Sequence, residues 1–107
     1  MVITVFRSRL RPEASEEYEG WARRMHQLAA AIPGFVSIKT FAADDGERVS
    51  IVEFESERAH GAWRDHPEHR EAQRLGRERF YAEFQIQVCT PVRRYGFSRA
   101  AAPGRED

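Results

Sequence analysis

Only one cysteine, Cys89, occurs in the 107 residues, so no disulfide can close within the chain and a reducing compartment suits it. Lysine is nearly missing too. Lys39 is the single one among 17 basic residues, an arginine bias that reflects coding preference rather than chemistry. There is no net charge, because 17 acidic residues balance the basic ones. Phosphate backbones and acidic bilayers both demand surplus positive charge on one face, so neither nucleic acid nor membrane is expected as a partner. No window approaches the ~20 apolar residues of a membrane span. The N-terminus opens on a strand-like pattern, without the basic segment and apolar run of a secretory leader, and a cytoplasmic location is the expectation. The glycines are scattered and form no phosphate-cradling loop, so a nicotinamide or flavin has no support and no cofactor is expected.

What is present reads as one ordered domain. Hydrophobic residues at 41% can fill a single core, and charged residues at 32% can cover it. Val2 to Leu10 is β-branched and roughly alternating, which predicts a strand. Pro12 fits a first helical turn, where its missing N–H costs nothing. Tyr18, Trp21, Ala22, Met25, Leu28, Ala29 and Ile32 then recur at spacings of three and four, predicting a helix over about 13–31. Pro33-Gly34 ends it.

Phe35 to Ala42 and Arg48 to Glu55 read as strands joined by Asp44-Asp45-Gly46, a turn whose residues tolerate positive φ. Ser56 is a candidate N-cap for a helix over 57–65. Pro67 restarts the helix, which runs to about Arg79. Phe80 to Val92 reads as a long last strand. The order β-α-β-β-α-β predicts an α+β, ferredoxin-like fold: a four-stranded antiparallel sheet with helices on one face, spanning 1–97. Residues 98–107 have nothing to pack and are expected to be a disordered tail.

Alternation divides each strand between two faces. Helices cover one of them, which leaves Ile3, Val5, Val49, Ile51 and Tyr81 on the other, among charges. That much apolar surface predicts a homodimer through the open sheet face, with the overlong fourth strand reaching into the partner.

With Pro33-Gly34-Phe35, Glu53-Phe54-Glu55, Ala62-Trp63, His66-Pro67-Glu68-His69, Ala72-Gln73, Gly76-Arg77 and the 80–89 strand in place, the sequence resembles the antibiotic biosynthesis monooxygenase family, a group of dimeric α+β barrels. The resemblance covers about 2–97 and implies a pocket between helices and sheet. Its implied lining is Phe6, Trp21, Met25, Trp63, His66, Phe84 and Ile86, which suits a small apolar aromatic ligand. Trp63 matches the family's tryptophan. The asparagine that cofactor-free aromatic oxygenases carry one turn earlier is Ala59 here. The histidine that ligates iron in heme-degrading members falls at Gln73, so heme degradation is disfavoured.

His66 and His69, three apart at a helix start, are the conspicuous titratable pair. Two histidines are too few for a metal site, and none is expected. His66 reads more naturally as a helix cap, while either histidine could act as a general base, with its ionisation expected between about pH 5 and 8. Candidate catalytic residues are therefore His66, His69 and Trp63. Two readings stay open: a cofactor-independent monooxygenase of a phenol or quinol, or a non-catalytic dimeric binding or stress-related protein of the same fold. An isomerase or decarboxylase on the same barrel would need only an acid/base.

Overall fold

In a computed structural model, which describes residues 1–99, the alternating segment forms β1 (Val2–Leu10). Pro12 opens a short 3-10 turn that leads into α1 (Ser15–Ala30). Strands β2 (Phe35–Ala42) and β3 (Arg48–Phe54) form the hairpin, and Gly46 takes φ 93° at its tip. Helices α2 (Glu57–Arg64) and α3 (Pro67–Leu75) follow, then one π-helical turn over Gly76–Phe80. Strand β4 (Tyr81–Cys89) completes a four-stranded sheet in the order β2-β3-β1-β4, antiparallel throughout. This is the expected α+β ferredoxin-like arrangement.

The caps follow from chemistry read in the sequence. The Ser56 side chain accepts a hydrogen bond from the Ala59 N–H at 3.1 Å. His66 Nδ1 accepts from the Glu68 N–H at 3.1 Å, so this imidazole serves the start of α3. Gly34 is required where it stands. Its φ is +96°, and a Cβ there would lie 2.8 Å from the Ala59 Cβ.

Two clusters fill the space between helices and sheet. Met25, Leu28, Ala29, Val52, Phe54, Ala59 and Trp63 form the larger one. Ala14, Tyr18, Leu75 and Phe80 form the smaller one, at the far end of α1.

Three expectations need correction. The last strand ends at Cys89, so it matches β1 in length rather than exceeding it. Pro91 brings no N–H to a ladder, and pairing stops before it. Tyr81 belongs to the helix-covered face, not the open one. Leu10 pairs with Tyr81 while Arg9 pairs with Glu83, a bulge that absorbs Ala82 and reverses the alternation. The Tyr81 ring accordingly meets Phe6, Tyr18 and Phe84 edge-on. Finally, the helix expected to run to Arg79 gives way to the wider π turn at Gly76, where a side chain would strike the Tyr81 ring at 2.7 Å. The tail expected to be disordered lies, from residue 100 on, outside the described residues.

Candidate active site

The helix-facing side of the sheet carries three hydroxyl side chains, Thr4, Thr40 and Ser50, among apolar ones at its centre. Ile38, Val52, Thr4 and Val88 stand in one row, and Thr40, Ser50, Phe6 and Ile86 in the next. A cavity of about 330 Å³ opens between these rows and the helices, at the small end of pockets that hold small molecules. Phe6, Trp21, Met25, Trp63, Phe84 and Ile86 all line it, as expected, and so does His69. His66 does not, because its ring is turned to the α3 backbone.

Trp63 anchors the inner wall. It is buried, and its indole N–H donates to the Met25 carbonyl at 3.2 Å, which ties α2 to α1. Its ring packs against Phe54 at 5.7 Å and against two imidazoles, His69 at 4.2 Å and His60 at 6.4 Å between centroids. Burial pushes the His69 imidazolium down to about 4, so the ring is neutral near pH 7. The Gln73 amide lies 2.8 Å from His69 Nδ1, and the same amide nitrogen donates to the Arg64 carbonyl at 3.3 Å. With the amide in that orientation Nδ1 is an acceptor, and the neutral ring carries its proton on Nε2. A hydrogen bond to the Arg64 carbonyl partly opposes the effect of burial on His69.

His60 was not singled out in the sequence, yet it is the more deeply buried histidine of the cavity, 3% exposed. Its Nε2 lies 2.9 Å from the Thr4 hydroxyl, also buried and also lining the cavity. Its Nδ1 has no hydrogen-bond partner within the usual limits, but the exposed Glu57 carboxylate stands 3.6 Å away. A carboxylate only accepts, so the favoured tautomer holds the proton on Nδ1 and leaves Nε2 to accept from Thr4. Burial lowers the His60 pKa, against the opposing pull of Glu57. Thr4, His60 and Glu57 therefore form a chain from the cavity floor to solvent. Its sequence signal was spacing: His60 precedes Trp63 by three, which shares one helix face, and Thr4 alternates with Val2 and Phe6.

The resemblance gives an iron ligand to the position of Gln73. An amide is a poor ligand for heme iron, and this one is committed to His69 and Arg64. At the position the resemblance gives to the iron ligand, the residue present does not fit a heme iron. Among the described residues, no three His, Cys, Asp or Glu side chains converge as a metal site. No helix among them is long and apolar enough to cross a membrane.

A family model described as "Antibiotic biosynthesis monooxygenase" matches residues 1–75. The chain belongs to that family. Among curated relatives of this antibiotic biosynthesis monooxygenase domain is the uncharacterized protein YqjZ of Bacillus subtilis, 32% identical over 82 residues, which covers 77% of this chain and 72% of YqjZ. Among solved structures, Rv0793 from Mycobacterium tuberculosis superposes with a TM-score of 0.77 at 21% identity, over 89% of this chain and 98% of that one. A single-site mutant of SnoaB, a cofactor-independent oxygenase from Streptomyces nogalater, superposes with a TM-score of 0.73 at 19% identity, over 87% and 94%. At these identities the superpositions establish the shared fold.

Proposed function

We propose that the protein is a cofactor-independent monooxygenase that oxidises a hydroxylated aromatic or quinol-type substrate with O₂ in the cavity beside Trp63. The chain that runs from buried Thr4 and His60 out to Glu57, and opens onto an aromatic pocket, carries this reading. A phenol seated against Trp63 gives its proton to Thr4 as Thr4 gives its own to His60 Nε2. Glu57 stabilises the imidazolium that results. The His69 Nε2–H donates to the phenolate oxygen, in surroundings dry enough for one hydrogen bond to matter. The electron-rich anion then reduces O₂ directly. When a ring CH₂ becomes a ketone, the substrate supplies every electron that O₂ takes up in forming the new C=O and one water, so no outside reductant is needed. The protein's part is orientation and proton control. Membership in the monooxygenase family and the likeness to a cofactor-independent oxygenase support the reading.

The assembly proposed with it is a dimer through the open sheet face. Ile3, Val5, Val49, Ile51 and Phe41 stand there in adjacent rows. Beyond β4 the chain continues with Val92, Tyr95 and Phe97, each at least 80% exposed, which is apolar surface suited to a second copy.

The test is oxygen uptake by metal-free protein over a panel of quinols, hydroxynaphthalenes and anthrones, with Trp63→Phe, Thr4→Val and His60→Gln beside the wild type. Uptake above the rate without protein, lowered about a hundredfold or more by His60→Gln, supports the proposal. No uptake on the whole panel, with ligands still quenching tryptophan fluorescence, overturns it in favour of a binding protein.

A further inference from the structure

The charge around the cavity departs from that of the chain. Acidic residues number 17 in the sequence, yet no Asp or Glu is among the residues lining the cavity. The ionisable groups there are two arginines, three histidines and two tyrosines. Arg64 is neutralised by Asp65, whose carboxylate lies 3.1 Å from its Nε. Arg77 is not neutralised. Its neighbours on the same stretch are spoken for, Arg74 by Glu71 and Glu78, Arg79 by Glu17. Among the described residues Arg77 has no acidic partner within 4.0 Å. Its guanidinium instead lies 5.7 Å over the Phe84 ring, on the cavity wall. The residue itself is exposed, so the charge stands at the rim.

A planar cation stacked on an aromatic wall, at the mouth of a pocket free of carboxylates, is suited to a carboxylate held in its fork. The hydroxyl-accepting chain of Thr4 and His60 reaches the same cavity from the sheet. We infer that the cavity takes an aromatic acid, a hydroxylated ring system whose carboxylate pairs with Arg77 at the rim while its hydroxyl reaches Thr4 and His60. This rests on the reading of the cavity as the substrate site, and it narrows the substrate class. The volume suits about two or three fused rings and leaves no room for a large charged cofactor.

The pair to compare is a hydroxynaphthoic acid with its two groups at opposite ends of the ring system and the corresponding hydroxynaphthamide. Binding is read by quenching of Trp21 and Trp63. The acid is expected to bind about tenfold tighter than the amide, the scale of one charge-assisted pair at a partly exposed site. Arg77→Gln abolishes that preference, because it weakens the acid far more than the amide. Arg77→Lys keeps part of it, and Arg74→Gln, one turn away and outside the cavity, keeps all of it. Equal affinity for acid and amide in the wild type overturns the inference and leaves the aromatic-pocket reading standing. So does an Arg77→Gln variant that weakens both ligands alike. Failure of both ligands to bind refutes the pocket reading and the inference with it.

Discussion

Acidification from about pH 7 to about pH 5 should weaken the fold before any carboxylate is touched, and His69 sets the size of the effect. In the unfolded chain its imidazole titrates near 6.5, whereas in the fold burial holds it at about 4. Between those values the unfolded state takes up a proton that the folded state refuses. Stability therefore falls as pH drops through the window, and is recovered above the unfolded value. Integrated over that interval the loss is about 2 kcal/mol. His60, lowered by burial as well, acts with the same sign. The carboxylates of Glu47, Glu68 and Glu71 are held below their ordinary range by hydrogen bonds from Arg7, Arg24 and Arg74, so their losses come only at lower pH. Urea unfolding at the two pH values measures the difference. His69→Gln, which cannot titrate, should reduce it to below about 1 kcal/mol. If the wild type is flat across the window, or the variant loses as much as the wild type, burial does not keep His69 neutral. The expectation of a histidine ionisation between about pH 5 and 8 moves with it: a kcat/KM limb set by His69 lies near 4.

Gly34→Ala combines a positive-φ penalty with the contact on Ala59 and should cost about 2–4 kcal/mol, lowering Tm by more than about 10 °C. Ala59→Gly in the same chain should recover the packing part, and no recovery would refute the contact as its cause. Thr4→Val keeps the shape but strands His60 Nε2, and should cost about 1–3 kcal/mol in urea unfolding. The double variant Thr4→Val/His60→Phe should cost less than the sum of the singles. Val5→Glu or Ile51→Arg on the open face should convert a dimer to a monomer in sedimentation. Wild-type protein that sediments as a monomer would refute that interface.

The strands, the hairpin turn, the Ser56 cap and the chain order were legible because each rests on local chemistry. Alternation, β-branching, Pro33-Gly34 and Asp45-Gly46 act within a few residues. The stripe of α1 and the alternation in β1 and β4 marked which side chains face inward, and the resemblance to the family placed a pocket among them. What stayed hidden depends on neighbours far along the chain. A bulge opposite Arg9 turns Tyr81 to the helix side, and alternation within β4 carries no sign of it. His66 was readable as the cap of α3, but nothing in the sequence marked that burial against Trp63 would claim His69. His60 acquires its meaning from Thr4, 56 residues earlier, and from the depth that strips water from its ring. Sequence by itself determined the order of the elements and, outside the bulge at the start of β4, the face each one buries, because those follow from periodicity and backbone preference. Which imidazole is dry, which tautomer it holds and which of the two cavity arginines goes unpaired were settled by packing, because desolvation and hydrogen-bond partners exist only once distant segments meet.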